Sequence, residues 1–356
     1  MNFASDNWAG ASPKVLEALA DGSAGIAPAY GADDLTQEVK ARLAALFGHE
    51  VGAFFVATGT SANSLCLAAL CPPYGAVYAH DEAHIISDEG GASEFVTQGA
   101  RLIGIPGVGG KIGLADFKAV AGKPAGPASR FPVPSTLSLT QATECGTVYR
   151  EEEVAALSQA AAAFGLKVHM DGARFANAFA FLCSQRGDMA PGDITWKAGV
   201  DALSLGFTKN GALLAEAVVL FDPGMADEVE WRRKRSGQVL SKARLVAAQF
   251  LAMLEDDHWL DLARHANRMA LMLGHGLVTA GHRLGFDIEA NEVFAVLPKT
   301  MIPRLRQEGA LFYEYPRASL AADRRAGPDA ELVRLVTSFA TMPEEVEQFI
   351  KLASRI

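Results

Sequence analysis

Between residues 53 and 221 the sequence carries seven short apolar runs. They are "AFFVAT" (53–58), "GAVYAH" (75–80), "RLIGIP" (101–106), "STLSLT" (135–140), "KVHMDG" (167–172), "ALSLGF" (202–207) and "AVVLF" (217–221). Most are apolar on successive residues rather than alternate ones. That pattern predicts strands buried on both faces of a mainly parallel sheet. Helical stretches such as "EEEVAALSQAAAAFG" lie between the runs, so the class expected is α/β with a seven-stranded sheet. The segment 107–130 reads as a Gly/Pro-bearing connection at the surface.

The flanks differ. Ser12 can cap a helix that opens at Pro13 and carries Val15, Leu16 and Leu19 as its apolar stripe. A turn-rich stretch follows, and then a helix with Leu35, Val39, Leu43 and Leu46 on one face, ending at Gly48. After residue 226 the chain becomes long, helical and charge-laced, and includes the basic cluster Arg232, Arg233, Lys234 and Arg235, read as a solvated helix face or a partner-facing turn. The last ninety or so residues hold strand candidates "EVFAVLP", "LFYEYP" and "VRLVTSFA" and a closing helix, a small α+β unit. The expected division is an arm with two helices (1–48), a large α/β domain (49–240), and a linker helix with a smaller C-terminal domain (241–356).

Composition narrows the function. The formal charge of -9 disfavours binding to nucleic acid. No apolar run is long enough to span a membrane, which needs about 18 residues. The four cysteines form no CxxC pair, so neither a zinc site nor a redox dithiol is expected, and buried thiols suit a cytoplasmic chain.

Four local features carry chemistry. In "ATGTSAN" (57–63) a strand ends in a Gly-Thr turn that opens a helix, the geometry that binds phosphate on free N–H groups. In "HMDGAR" (169–174) a strand delivers Asp171 at its carboxyl end, where open α/β sheets bind ligands. In "SLGFTKNGA" (204–212) Lys209 follows another apolar strand, a place where burial activates an amine. In "HDEAHIISDEGGA" (80–92) His84 sits beside a further strand end. Each feature alone has an ordinary reading, as a capped turn, a strand-end acid, a loop lysine or a packed histidine. Together, and in this order, they match the needs of pyridoxal 5'-phosphate: an amine for the aldehyde, a carboxylate for the ring nitrogen, a helix N-terminus for the phosphate. No Walker lysine and no GxGxxG opening a βαβ unit compete with that reading.

The same stretches, with "FASDN", "PAYGADDLTQEVKARLAALFG" and "VRLVTSFA", resemble the low-specificity threonine aldolase family. That family belongs to the fold type I (aspartate aminotransferase) superfamily, and the resemblance covers nearly the whole chain in order. It implies that Lys209 holds the cofactor, Asp171 pairs with the ring nitrogen, and Arg174 meets the cofactor phenolate oxygen and the substrate carboxylate. It places Gly59, Thr60 and Ser61 at the phosphate and His84 over the ring. Ser5, Tyr30 and Arg334 fall on the amino-acid side. Two departures stand out. "LTQATECGT" lacks the histidine common in that stretch, and "SGQVLSKAR" has Ser241 where an arginine is expected, with Lys242 beside it as the replacement cation from a neighbouring subunit.

The resemblance further implies cleavage of threonine-type β-hydroxy-α-amino acids to glycine and an aldehyde. The N-terminal arm with Ser5 and Tyr30 is turn-rich and polar and is expected to wrap a partner near the cofactor rather than bury itself, giving a homodimer or homotetramer with sites at the subunit interface. Alternatives are another pyridoxal-phosphate reaction on the same fold, or a non-catalytic cofactor-binding protein, against which the complete Lys/Asp/Arg set argues. For the hydroxyl proton, the expectation is that His84, near its ordinary pKa of about 6.5, stacks on the ring and orders a water that accepts the proton. His169, two residues before Asp171, is expected to support it from behind.

Overall fold

The computed structural model describes residues 1–122, 130–315 and 319–354. Its large sheet holds β1 (Gly52–Val56), β2 (Gly75–His80), β3 (Arg101–Ile105), β4 (Val133–Thr140), β5 (Lys167–Gly172), β6 (Ala202–Gly206) and β7 (Glu216–Leu220). They lie in the order β1-β7-β6-β5-β4-β2-β3. β7 runs antiparallel to both neighbours, and the β6-β5-β4-β2-β3 pairings are all parallel. β2, β6 and β7 are buried at every position, which is why their sequences are apolar without alternation. Each predicted run falls on one of these strands.

Local signals set the flanking helices. Helix α1 (Pro13–Ser23) starts where the Ser12 hydroxyl accepts from the Val15 N–H. Helix α2 (Asp34–Phe47) starts where Asp33 accepts from the Thr36 N–H at 2.8 Å, a cap worth about 1 kcal/mol. It stops at Gly48, whose φ of 60° suits glycine. Helix α3 (Gly59–Leu70) leaves the carboxyl end of β1 with Thr58 as its cap.

An aromatic pile fixes the turn that carries Lys209. Phe207 packs on Phe250 and Trp259, and Trp259 stacks with Phe175 and Phe179. Each such buried ring contributes roughly 1.5–3 kcal/mol. Asn210 donates to the Trp259 carbonyl at 2.8 Å, and Ser12 N–H donates to the Gly211 carbonyl, so the turn is held from both sides.

The C-terminal sheet contains β8 (Arg283–Leu284), β9 (Glu292–Pro298), β10 (Tyr313–Glu314) and β11 (Ala330–Val336), in the order β8-β9-β11-β10 and antiparallel throughout. The predicted strand at "VRLVTSFA" therefore starts earlier and ends at Val336, and that at "LFYEYP" shortens to two residues, with Pro316 outside the described residues. The 107–130 connection holds more structure than expected. Gly107–Val108 pairs with Lys111–Ile112, and Leu114–Ala121 is helical. Its residues 123–129 lie outside the described residues.

The arm also departs from expectation at its start. Phe3 is fully buried in this chain's own C-terminal core, edge-on to Phe349, and its N–H and carbonyl bond to Leu311 and Val336. The apolar ring, not the polar residues around it, decides where the first residues lie. The basic cluster lies on the helix Ala226–Arg235, where Arg232 pairs with Glu228 and the buried Arg233 lies over Phe54. Cys66, Cys71 and Cys145 are buried and Cys183 is half-buried, all unpaired.

Candidate active site

A cavity of about 280 Å³ opens at the carboxyl edge of the large sheet. That is at the small end of ligand pockets. Among its lining residues are Gly59, Thr60, His84, Asp171, Arg174 and Lys209, so the structure brings together six of the eleven residues singled out from sequence. The parallel strands explain the convergence. β5 ends at Asp171 and Gly172, β6 leads into the Thr208–Asn210 turn, and β1 leads into α3, all on one edge.

Asp171 is buried, and both its oxygens have donors: Asn63 Nδ2 at 2.7 Å and the Ala173 N–H at 3.0 Å. Asn63 Nδ2 also donates to Glu89 Oε1 at 2.9 Å, and the same oxygen meets His84 Nδ1 at 2.9 Å. A continuous chain therefore runs from His84 through Glu89 and Asn63 to Asp171. The hydrogen bond to Glu89 raises the His84 pKa against the opposing effect of burial. The imidazole is thus held toward its charged form, which corrects the expectation of a ring near its ordinary pKa waiting to accept a proton.

His169 lies behind Asp171. Its ring nitrogens meet the hydroxyls of Ser138 and Ser204 at 2.9 and 3.0 Å, and burial lowers its pKa to about 4. It is a neutral support between β4 and β6, as the spacing predicts.

Lys209 Nζ makes no hydrogen bond or ion pair among the described residues, although its charge is felt by Asp6, His84, Glu216 and Glu292. Glu216 faces it from β7. Burial pushes its carboxyl up to about 7, with Thr208 and Lys209 opposing the rise. Across the cavity, Arg174 donates from Nε and a terminal nitrogen to both oxygens of Asp6, at 2.8 and 3.1 Å. A third nitrogen lies 3.4 Å from Glu292 Oε2. Burial would lower the guanidinium pKa, but these two carboxylates raise it. Burial likewise opposes ionisation of Asp6, yet Arg174, Lys209 and Asn291 hold its carboxyl below the usual range.

The other residues lie around this core. Ser61 takes its place in the α3 cap, with its N–H on Thr58 Oγ1 at 3.1 Å. Gly59 and Thr60 stand in the first turn, whose N–H groups lack intrahelical acceptors. Ser5 caps the short turn Asp6–Trp8 by accepting from the Asn7 N–H. Arg334, on β11, lies 4.0 Å from Glu292 Oε1 and over the Tyr315 ring. Tyr30 and Lys242 are exposed and outside the cavity lining, and they lie close together: Tyr30 N–H donates to the Ser241 carbonyl at 3.0 Å.

Sequence reasoning passed over Asp6, Asn63, Glu89, Glu144, Glu216 and Glu292. A signal existed for two of them. Glu216 and Glu292 each begin an otherwise apolar buried strand, where an acid costs free energy unless it serves a site.

The donor set fits pyridoxal 5'-phosphate: an unbonded amine, a buried carboxylate set by two donors, an imidazole and a helix N-terminus on one cavity. This topology and this set of groups are those of the fold type I pyridoxal-phosphate enzymes. Residues 2–299 match the family model described as beta-eliminating lyase. The chain is 42% identical over 315 residues to a low specificity L-threonine aldolase of Pseudomonas aeruginosa, covering 88% of this chain and 89% of that protein. It is 39% identical over 314 residues to the Pseudomonas sp. protein of the same name, covering 88% and 89%. The solved threonine aldolase of Leishmania major superposes with a TM-score of 0.90 at 26% identity, covering 99% of this chain and 98% of that one. The chain belongs to the beta-eliminating lyase family and, within it, groups with the low-specificity L-threonine aldolases.

Proposed function

We propose that this protein binds pyridoxal 5'-phosphate between Lys209, Asp171 and His84 and cleaves threonine-type β-hydroxy-α-amino acids to glycine and an aldehyde. The observation that carries this reading is the convergence of Lys209, Asp171, Arg174 and the first turn of α3 on one cavity. The cofactor, when bound, supplies an electron sink for the pair released as Cα–Cβ breaks.

The chain's own residues do the rest. Lys209 Nζ presents the amine that the cofactor aldehyde requires. Asp171 keeps a proton on the ring nitrogen. The Gly59 and Thr60 N–H groups, with Ser61, take the phosphate. His84 covers the ring face and is held in place by Glu89. Arg174 and Arg334, with Ser5, orient the substrate carboxylate, and that orientation selects which Cα bond breaks.

We further propose a homodimer or homotetramer with shared sites. Tyr30 and Lys242 are exposed and outside the lining of this chain's own cavity, on a surface that also carries the fully exposed Ile26, which supports a role for them toward a neighbouring subunit. The three-part division at residues 48 and 240 belongs to the same reading. So does a cytoplasmic setting, supported by four unpaired thiols. No described helix is long and apolar enough to cross a membrane.

The test is a panel of threonine, allo-threonine and phenylserine in both Cα configurations, with glycine and aldehyde quantified. Equal yields of glycine and aldehyde are expected, along with complete loss of turnover and of the bound cofactor's visible absorbance in Lys209→Ala. Formation of a keto acid instead would move the protein to another reaction of the same cofactor. An unchanged spectrum in Lys209→Ala would sink the lysine assignment.

A further inference from the structure

The stretch "LTQATECGT", which lacks the histidine expected there, places an acid in the cavity wall instead. β4 ends at Thr140, directly opposite Asp171 in the sheet register, and the chain then turns so that Glu144 lines the cavity. The turn is tightly bonded. Gln141 exchanges two hydrogen bonds with the Tyr149 backbone, at 2.8 and 2.9 Å, and Thr143 N–H donates to the Thr147 carbonyl. Gly146 takes a φ of 71° to close it. Glu144 is therefore held on a preorganised turn rather than a mobile loop.

The two oxygens of Glu144 differ. Oε1 accepts from the His84 N–H at 2.8 Å and from Thr140 Oγ1 at 3.1 Å. Oε2 is buried and has no hydrogen-bond partner among the described residues. A buried oxygen left unpaired beside a ligand cavity costs stability unless the ligand completes it. His84, the other candidate, already has Nδ1 engaged by Glu89.

We propose that Glu144 is the group that accepts the β-hydroxyl proton of the substrate. This rests on the aldolase reading above. The O–H bond breaks and its proton passes to the Glu144 carboxylate while the C–O bond becomes the aldehyde carbonyl. The Cα–Cβ bond breaks, its electron pair stays with the glycine fragment, and Cα takes up one proton. One proton leaves oxygen and one arrives at carbon, so no oxidant or reductant is needed.

The acidity suits the task. Burial, and after it the charge of Asp171, push the Glu144 carboxyl up to about 7, against the hydrogen bonds from His84 and Thr140. Asp171 is the ionisable group whose charge acts on it, Arg174, Cys145, Tyr149 and Tyr315 feel its own charge, and His84 bonds it through the backbone N–H. A base poised near the working pH is the efficient one.

The experiment compares E144Q, E144D and His84→Phe with wild type in three readouts. These are kcat/KM for L-threonine across pH 6–9, α-proton exchange of glycine in D2O, and the Kd of pyridoxal phosphate for the apoprotein. Glycine has no β-hydroxyl, so its exchange needs the cofactor site but not this base. E144Q is expected to lose at least about 100-fold in threonine cleavage, the usual scale for a lost general base. Its glycine exchange and cofactor Kd should stay within about threefold of wild type. The acid limb of the wild-type pH profile, near pH 7, should vanish in E144Q and persist in His84→Phe. Should E144Q fail to fold, E144D keeps the acid on the same turn and should be slower while keeping the limb.

Cleavage within threefold of wild type in E144Q, or wild-type cleavage in E144D when E144Q does not fold, overturns the proposal. So does an equal fall in exchange and cleavage, or a limb that disappears in His84→Phe instead. A wild-type enzyme that exchanges glycine protons but cleaves no β-hydroxy amino acid overturns the aldolase reading itself, and the two failures are thereby told apart.

Discussion

Two regions around the cavity bury carboxylates with opposite consequences. At the seam between the sheets, Asp6 meets a guanidinium through two hydrogen bonds and takes a third from Asn291, and it is held ionised. On the wall of the large sheet, Glu144 is partly exposed as a residue but has its Oε2 shielded from water; among the described residues it receives only neutral donors, and the leading charge acting on it, Asp171, has the same sign. Its carboxyl rises to about 7, as does that of Glu216, where Lys209 offsets burial only in part. Glu292 lies between the two cases. Arg174 and Arg334 are near it, but neither carboxylate oxygen accepts a hydrogen bond among the described residues, and its pKa is raised by burial. Burial opposes ionisation of each of these acids, and the presence of a bonded cation determines whether the result is a fixed charge or a proton carrier. The seam is thereby suited to holding a substrate, and the wall to moving protons.

The sharpest way to break this division is at Asp171, which sits on the wall yet has both oxygens bonded. Asp171→Asn keeps the shape, removes the charge facing the cofactor, and leaves one of the two donors opposite an NH2 group. Turnover is expected to fall by roughly 10²–10³-fold, the scale of a lost electrostatic group in an active site, while the apoprotein melts within a few degrees of wild type. A variant at wild-type rate would refute the proton-holding role.

A smaller effect is expected at the seam. Asp6→Asn leaves Arg174 with only the more distant Glu292, and breaking a buried ion pair from one side costs about 3 kcal/mol. That should lower the apoprotein Tm by roughly 5 °C or more at neutral pH. Because the Asp6 carboxyl is held below 3.8, its contribution is present above that value and lost as pH falls through its folded pKa. The Tm gap between variant and wild type should therefore close in strong acid. A gap that is the same at every pH would mean that Asp6 acts by packing alone.

The smallest effect is expected at Glu216. Its folded pKa, about 7, lies above the ordinary 4.5, so its contribution to stability is full below 4.5 and is lost as pH rises toward 7. Glu216→Gln should remove that loss, raising the apoprotein Tm by roughly 2–4 °C at pH 8, about 1 kcal/mol, with little change at pH 4.5. A variant that gains equally at both values would show that Glu216 is not the acid responsible.

The large sheet, its seven strands and the residues at its carboxyl edge were legible because their signals are local. An apolar run buried on both faces has one periodicity; Asp171 sits at the end of such a run, and Gly59 and Lys209 follow within two residues of one. Ser12, Pro13 and Gly48 marked the flanking helix ends for the same reason. What the tertiary structure alone decided is which charges meet. Asp6 and Arg174 are 168 residues apart, and Asn291 reaches Asp6 across 285. Asn63 joins Glu89 to Asp171 across strands that no sequence spacing relates. The pKa of a buried acid depends on these partners and on exclusion of water, both properties of the packed fold. A residue such as Glu144 therefore reads in the sequence as an ordinary turn glutamate, and becomes a candidate base only where the chain folds it against Asp171 with one oxygen left unbonded.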